Sequence, residues 1–151
     1  MLRHALATLA YRAGKALRDA PPGFGEFRAS ETTRSAGQIL AHMGDLMDWG
    51  ASIAEGRQAW KDSPVQAWDV DVDRFFAGLA RFDAALAAAG GGAPSEKLFQ
   101  GPVADALTHT GQLAMMRRLA GVPIKGENYF VAEIAEGRVG REQAQPRREF
   151  S

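Results

Sequence analysis

Residues 101–121 read GPVADALTHTGQLAMMRRLAG, and the predicted fold is organised around this stretch. Gly101 and Pro102 are typical of a helix start, because proline lacks an N–H that the first helical turn does not need. Gly121, followed by Pro123, is typical of a helix end. The stretch therefore predicts one helix with a defined start and a defined end.

Three polar residues share one face of that helix: Asp105, His109 and Gln112 lie at spacings of four and three residues. Their neighbours on this face are apolar core types, namely Ala106, Leu113, Met116 and Leu119. A buried neutral polar group without a partner costs roughly 2–7 kcal/mol. Either a divalent metal or a hydrogen-bond network would satisfy the three side chains.

The composition excludes several classes of protein. With 151 residues, 46% of them hydrophobic, the chain fits one globular domain. Its 18 basic and 18 acidic side chains balance, unlike the basic footprint of a nucleic-acid-binding protein. The absence of cysteine excludes disulfides, thiolate metal ligands and a cysteine nucleophile. The sequence shows no membrane span and no signal peptide, so we expect a cytoplasmic protein.

Apolar stripes at helical spacing predict an all-α fold without a sheet. The predicted helices run from Leu2 to Leu17, Thr33 to Glu55, Asp69 to Ala89 and Gly101 to Gly121. We predict a four-helix bundle in which the connection from Gly56 to Trp68 crosses along the bundle, because it is long for a tight hairpin. A short fifth helix over Glu127 to Glu136 would complete a domain of residues 1–136. Residues 137–151 are predicted to be a loose polar tail.

The second predicted helix places His42 in an apolar seam beside Ile39. A single core histidine is more often a structural residue than a metal ligand, so His42 matters only together with Asp105 and His109. Asp45 lies one turn further along this helix. Its carboxylate could orient the second ring nitrogen of His42, as carboxylates beside metal-bound histidines do.

Two motifs resemble the DinB-like (damage-inducible protein B) family of helical bundles, which also includes thiol-dependent transferases and a maleylpyruvate isomerase. The segment ILAHMGDLMDW is similar to the family's second helix, which implies a metal-ligand role for His42. The segment THTGQLAMMRRLAG is similar to the family's H-x-x-x-H-x-x-Q pattern, which implies that His109 is its last histidine and Gln112 its amide. The resemblance covers about residues 1–121 and implies a metal-dependent four-helix bundle.

Asp105 stands where the family pattern usually has its first histidine. Two histidines and one carboxylate still supply three ligands and leave coordination positions open. The carboxylate adds a negative charge, which lowers the Lewis acidity of a metal and counts against thiol-transfer chemistry. The dipole of a helix also favours an acid in its first turn, by about 0.3–1 kcal/mol. That explanation leaves His42 and His109 unexplained, so we favour a divalent metal: zinc, nickel, manganese or iron.

Two classes of function follow. The first is a metal-dependent hydrolase or thiol-dependent transferase that acts on a small molecule, with the metal on His42, Asp105 and His109. The second is a non-catalytic bundle, either ligand-binding or a structural dimer, whose histidines and aspartate form a hydrogen-bond network. Glu133 and Asp45 are the candidates for a separate general acid or base, and the sequence places neither.

Three further expectations complete the sequence-based picture. The family resemblance, the balanced charge and the spare aromatic residues of the first and third helices favour a homodimer. Gln112 would face the open side of the metal and hydrogen-bond a water or ligand there. Trp60 and Trp68 would either pack over the end of the bundle or line the mouth of a pocket.

Overall fold

Four long helices carry nearly half of the backbone in the computed structural model, which describes residues 1–150. They are α1 (Leu2–Leu17), α2 (Ala36–Ala54), α3 (Trp68–Ala89) and α5 (Ala104–Leu119), and a short α4 (Ser95–Leu98) precedes the last of them. α2 lies between α3 and α5, and α1 packs on the same two helices. The predicted all-α class is confirmed, and α1 has its predicted bounds. The predicted long connection between α2 and α3 is also present, since residues 55–67 contain no helix.

α2 begins three residues later than predicted because Ser35 caps it. The Ser35 hydroxyl accepts a hydrogen bond from the Gln38 N–H at 3.2 Å, and the Gln38 side chain accepts one from the Ser35 N–H at 2.8 Å. This reciprocal capping box satisfies two backbone donors at the helix start. It therefore fixes the start of the helix that carries His42.

α2 and α3 approach closely because glycines lie at their contact. A Cβ atom at Gly50 would lie 2.4 Å from the ring of Phe82, which is fully buried. A Cβ atom at Gly78 would lie 3.0 Å from the Cβ of Met47 on the facing helix. Larger residues at these positions would push the two helices apart.

The predicted start of the fourth long helix at Gly101 and Pro102 is wrong. The chain is already helical from Ser95, and residues Phe99–Val103 form a π-helical turn that leads directly into α5. The Ala104 N–H donates to the carbonyl of Phe99, five residues earlier. Pro102 has no N–H to donate to an i−4 carbonyl, which favours such a local irregularity inside a helix. The predicted end is confirmed, because Gly121 follows α5 with a φ of 80°.

Arg117 joins α5 to the end of α1. Its guanidinium donates to the carbonyls of Ala16 at 3.0 Å, Arg18 at 2.8 Å and Asp19 at 3.2 Å. These are carbonyls at the C-terminal end of a helix, where a cation is favoured. Burial lowers the pKa of Arg117 from its ordinary value, and the guanidinium stays charged. A charged residue thus occupies part of the buried face of α5.

The predicted fifth helix over Glu127 to Glu136 is absent. Strand β1 (Gly126–Glu127) instead pairs antiparallel with β2 (Glu149–Phe150), and a 3₁₀ turn spans Tyr129–Val131. The expectation of a loose tail is wrong for residues 137–150, because β2 is paired and Val139 is buried. Ser151 lies outside the described residues, and the domain boundary at residue 136 stays a prediction.

A buried polar cluster fastens this C-terminal segment to α1. The Glu127 carboxylate accepts from the Tyr11 hydroxyl at 2.5 Å and from the Lys15 ammonium at 2.8 Å. The Lys15 ammonium also donates to Glu149 at 2.7 Å. Burial and the bond to Glu127 raise the pKa of Tyr11 far above its ordinary value. Burial opposes the charge of Lys15, but the bonds to the two glutamates raise its pKa overall. The raised pKa values keep Lys15 charged and keep Tyr11 a neutral hydrogen-bond donor.

Among residues 1–150, no helix combines the length and the apolar character that crossing a membrane requires.

We predict opposite effects from adding a methyl group at two glycines in helices. Gly50→Ala should lower the free energy of unfolding by about 1–3 kcal/mol, because the methyl group overlaps the Phe82 ring. Gly111→Ala should raise it by up to about 1 kcal/mol, because nothing lies within 4 Å of the added atom and alanine favours the helix. Urea denaturation followed by far-UV circular dichroism measures both. Equal effects would contradict the close approach of α2 and α3.

A second pair of variants tests the buried cluster. Lys15→Met should lower the free energy of unfolding by about 3–5 kcal/mol, because it leaves the buried carboxylate of Glu127 without a cation. Lys125→Met is the control, since Lys125 is 69% exposed and lies 3.6 Å from Glu149. Its loss should stay within about 1 kcal/mol. Urea denaturation at neutral pH distinguishes the two, and a small effect of Lys15→Met would show that the cluster adds little.

Candidate metal centre

α2 and α5 bring together the three residues that the sequence singled out as ligands. One donor atom from each of His42, Asp105 and His109 lies within 4.8 Å of the other two. Within residues 1–150, no other three histidine or acidic side chains lie close enough together to bind one metal ion. The predicted convergence of these residues is therefore present, although His42 is separated from Asp105 by 63 positions in the chain.

The carboxylate of Asp105 lies between the two imidazoles. Its Oδ2 is 3.3 Å from Nε2 of His42, and its Oδ1 is 3.3 Å from Nε2 of His109. The two rings are nearly perpendicular, with centroids 5.0 Å apart. Each carboxylate oxygen thus faces a different imidazole nitrogen.

These separations fit metal ligation better than direct hydrogen bonds. Charge-assisted N–H···O bonds are typically about 2.7–2.9 Å long, so 3.3 Å is long for either pair. Zinc–nitrogen bonds of about 2.0–2.1 Å at tetrahedral angles place neighbouring ligand atoms roughly 3.3 Å apart. The two distances between Asp105 and the imidazoles therefore match the separation of neighbouring ligand atoms around a small divalent ion.

Gln112 fixes the tautomer of His109. Its amide oxygen lies 2.7 Å from Nδ1 of His109, so Nδ1 is the nitrogen that donates. In the neutral ring, Nε2 then carries a lone pair and faces an oxygen of Asp105. Two lone pairs at this distance repel unless a cation, either a metal ion or a proton, lies between them. Gln112 therefore orients the ring, as groups behind metal-bound histidines do. Its carbonyl oxygen is occupied by this bond, so only the amide N–H₂ is available to a ligand.

The site lies at the edge of the core and not within it, which corrects the predicted burial. The side chains of His42, Asp105 and His109 are 22%, 45% and 13% exposed. The buried face of α5 is formed instead by Ala106, Thr110, Leu113, Met116 and Arg117. Leu119, predicted as core, is 57% exposed. Partial exposure removes most of the burial penalty and leaves the site open to small molecules.

Asp45 does not orient His42 as predicted. Its Oδ1 accepts from Arg74 at 3.0 Å, and its Oδ2 accepts from the Ser63 N–H at 3.1 Å. The carboxylate is buried and ties both α3 and the long connection to α2. Asp45 is therefore a structural residue, and its pairing with Arg74 could not be read from the spacing along one helix.

Aromatic rings form one wall of the site. Trp60 contacts His42 edge-on at 5.7 Å between centroids, and Trp49 contacts Trp60 in the same way at 5.6 Å. Gly101 lies against the Trp49 ring, since a Cβ atom there would be 3.6 Å from it. Trp60 thus lines the site, and the sequence left this choice open. Trp68 does not, because its ring packs on Phe24 and its N–H donates to the carbonyl of Leu17 at 3.3 Å.

Neither predicted acid–base candidate joins the cluster. Asp45 is held by Arg74, and Glu133 pairs with Arg147 at 2.9 Å and with Arg138 at 3.8 Å in the C-terminal segment. Their charges are balanced by arginines away from the two histidines. The candidate site consequently consists of three donors, one orienting amide and an aromatic wall.

Comparisons with protein families, curated proteins and solved structures give no significant match. The resemblance to the DinB-like family and the homodimer therefore stay predictions.

Removing the orienting amide should weaken metal binding without destroying the site. We expect Gln112→Leu to lower the affinity for zinc by about 10–100-fold, because His109 loses the partner that fixes its tautomer. Gln100→Leu is the control, since Gln100 is exposed and makes no side-chain hydrogen bond within residues 1–150. Competition with a chromophoric chelator measures both affinities. Equal affinities would show that Gln112 has no orienting role.

Proposed function

We propose that this protein binds one divalent metal ion through His42, Asp105 and His109. One observation carries the proposal: two imidazole nitrogens face the two oxygens of a single carboxylate, each at 3.3 Å. The bond from His109 to Gln112 supports it, because it leaves the Nε2 lone pair directed at the carboxylate. Zinc, nickel, manganese and iron all accept two imidazoles and a carboxylate, and this donor set does not select among them.

We further propose that the metal centre acts on a small molecule as a hydrolase or as a thiol-dependent transferase. A bound divalent ion would supply Lewis acidity at an open position and lower the pKa of water there. The protein contributes the ligand spacing, the orientation of His109 by Gln112 and the edge-on contact of Trp60 with His42. The motifs shared with the DinB-like family favour this class. The negative charge of Asp105 favours hydrolysis over thiol transfer.

A non-catalytic metal-binding bundle is the second candidate. It is favoured by the pairing of Asp45 with Arg74 and of Glu133 with Arg147, which leaves the site without an added general acid or base. In that case the cluster would store or sense an ion, or hold α2 against α5.

Metal binding is tested with the three histidines of the chain. Protein stripped with a chelator should take up one equivalent of cobalt(II), with the visible absorption of a low-coordinate ion. His42→Ala and His109→Ala should abolish this uptake and leave most of the helical circular dichroism. His4→Ala is the matched control, because His4 is exposed and lies outside the cluster. Undiminished uptake by His109→Ala, or no uptake by the wild type, would refute the metal proposal.

The carboxylate is tested separately. Asp105→Asn keeps an oxygen but removes the charge, so we expect cobalt affinity to fall while the fold is retained. Asp48→Asn is the control, since Asp48 is paired with Arg74 and Arg81 outside the cluster. Binding by the wild type should also weaken as the pH falls, because a protonated imidazole has no lone pair to offer a metal. Affinity independent of pH would argue against imidazole ligands.

Catalysis is tested with the loaded protein. Hydrolysis of activated esters and amides, or conjugation of a thiol to an electrophile, should require metal and should disappear in His109→Ala. One bound metal equivalent without any of these activities would favour the non-catalytic bundle.

A further inference from the structure

A groove of about 450 Å³ begins at His109 and Gln112 and continues beside the C-terminal half of α5. Its other side is formed by Ile39 of α2 and by the segment before that helix, including Arg34. Its volume lies at the lower end of the roughly 300–1,000 Å³ that is typical of small-molecule pockets. The groove shares a residue with the metal centre, so a molecule within it would lie beside the metal ligands.

Part of the apolar surface of the groove is exposed to solvent. Met115 and Leu119 are 56% and 57% exposed, while Met116 and Ile39 are buried at its base. Methionine side chains are flexible and polarisable, and they adapt to irregular apolar ligands. Two large exposed apolar side chains in one concave surface are typical of a binding site.

The polar groups of the groove are hydrogen-bond donors. Arg34 is the only lysine, arginine, aspartate or glutamate that lines the groove. Within residues 1–150 its guanidinium makes no ion pair and no hydrogen bond. The Gln112 carbonyl oxygen is occupied by His109, so Gln112 offers its amide N–H₂. The Thr33 hydroxyl already donates its proton to the Ser30 carbonyl at 2.9 Å, so Arg34 and Gln112 are the side chains that offer donors to a ligand. No aspartate or glutamate lines the groove. An anion is therefore favoured there and a cation is not.

We propose that this groove binds a small amphiphilic anion. Its apolar chain lies along Met115 and Leu119, and its carboxylate or similar acidic group accepts hydrogen bonds from Arg34 and the Gln112 amide. This inference rests on the proposed function in one respect: the ligand is a substrate only when the neighbouring site holds a metal ion. An ion held by two neutral histidines and one carboxylate would keep a net positive charge, which also favours an anionic ligand.

The probes are octanoate, octanol and octylamine, titrated calorimetrically into chelator-treated and zinc-loaded wild-type protein. Octanoate should bind at least about tenfold more tightly than octanol, because the charged headgroup accepts charge-assisted hydrogen bonds. Octylamine should bind most weakly. Similar affinities for all three would overturn the proposal, because they would show only apolar contact.

Two variants locate the binding. Arg34→Gln should weaken octanoate by about tenfold and leave octanol unchanged. Arg118→Gln is its control, because it removes the same charge from an exposed position of α5 outside the groove. Leu119→Glu should abolish octanoate binding, and circular dichroism should show retained helices since Leu119 is exposed. Equal effects of the two arginine variants would overturn the proposal.

The outcomes separate this inference from the metal proposal. Binding of octanoate to metal-free protein, dependent on Arg34, would support the groove even if no metal bound. Uptake of one zinc equivalent with no octanoate binding would refute the groove and leave the metal centre intact. Sedimentation of Leu119→Glu tests whether a second copy of the chain occupies the groove instead. If the wild type is a dimer that this variant dissociates, and if the wild type binds no octanoate, the groove would be assigned to a second copy of the chain.

Discussion

The geometry of the candidate metal centre depends on a hydrogen bond that Pro102 cannot make. Because proline has no N–H, the helix that starts at Ser95 does not continue its regular ladder, and a π-helical turn spans Phe99–Val103. One extra residue in a turn rotates everything that follows by about 100° around the helix axis. The rotation sets the face on which Asp105 and His109 meet α2. A regular helix through the same residues would direct them elsewhere.

The position of His42 is fixed from the opposite side. Gly50 lets α2 pack closely on α3, and the capping box at Ser35 defines where α2 begins. Asp45 binds Arg74 and the Ser63 N–H, and so holds the same helix against its neighbours one turn from the histidine. The site thus joins two independently fixed helices. The carboxylate of Asp105 and the two imidazoles meet at their junction.

Features encoded within a few residues were predictable. Among the features that depend on distant contacts, the approach of His42 to Asp105 and His109 was predicted, with the help of the resemblance to a known family, and the others were not. The apolar period of α1 and the i, i+4 spacing of Asp105 and His109 are local, and both predictions are confirmed. The prediction that Pro102 starts the helix was wrong, because a proline at a helix start and a proline in a π-helical turn give the same sequence signal. Strands β1 and β2 are two residues each, too short for any periodic signal, and their pairing depends on chain partners far away. The contact of Asp45 with Arg74 also depends on a partner that is distant in the chain.

The fastening of the C-terminal segment to α1 also bears on how the chain folds. Lys15 and Glu149 are separated by 134 positions, so their ion pair closes a loop that contains nearly the whole chain. Contacts of such high sequence separation are entropically costly to form early. Helix pairs such as α2 and α3, which are neighbours in sequence, are expected to assemble first. During synthesis, Lys15 would therefore lack both carboxylate partners until Glu127 and Glu149 have been translated. The contact between the C-terminal segment and α1 is then a late step in folding.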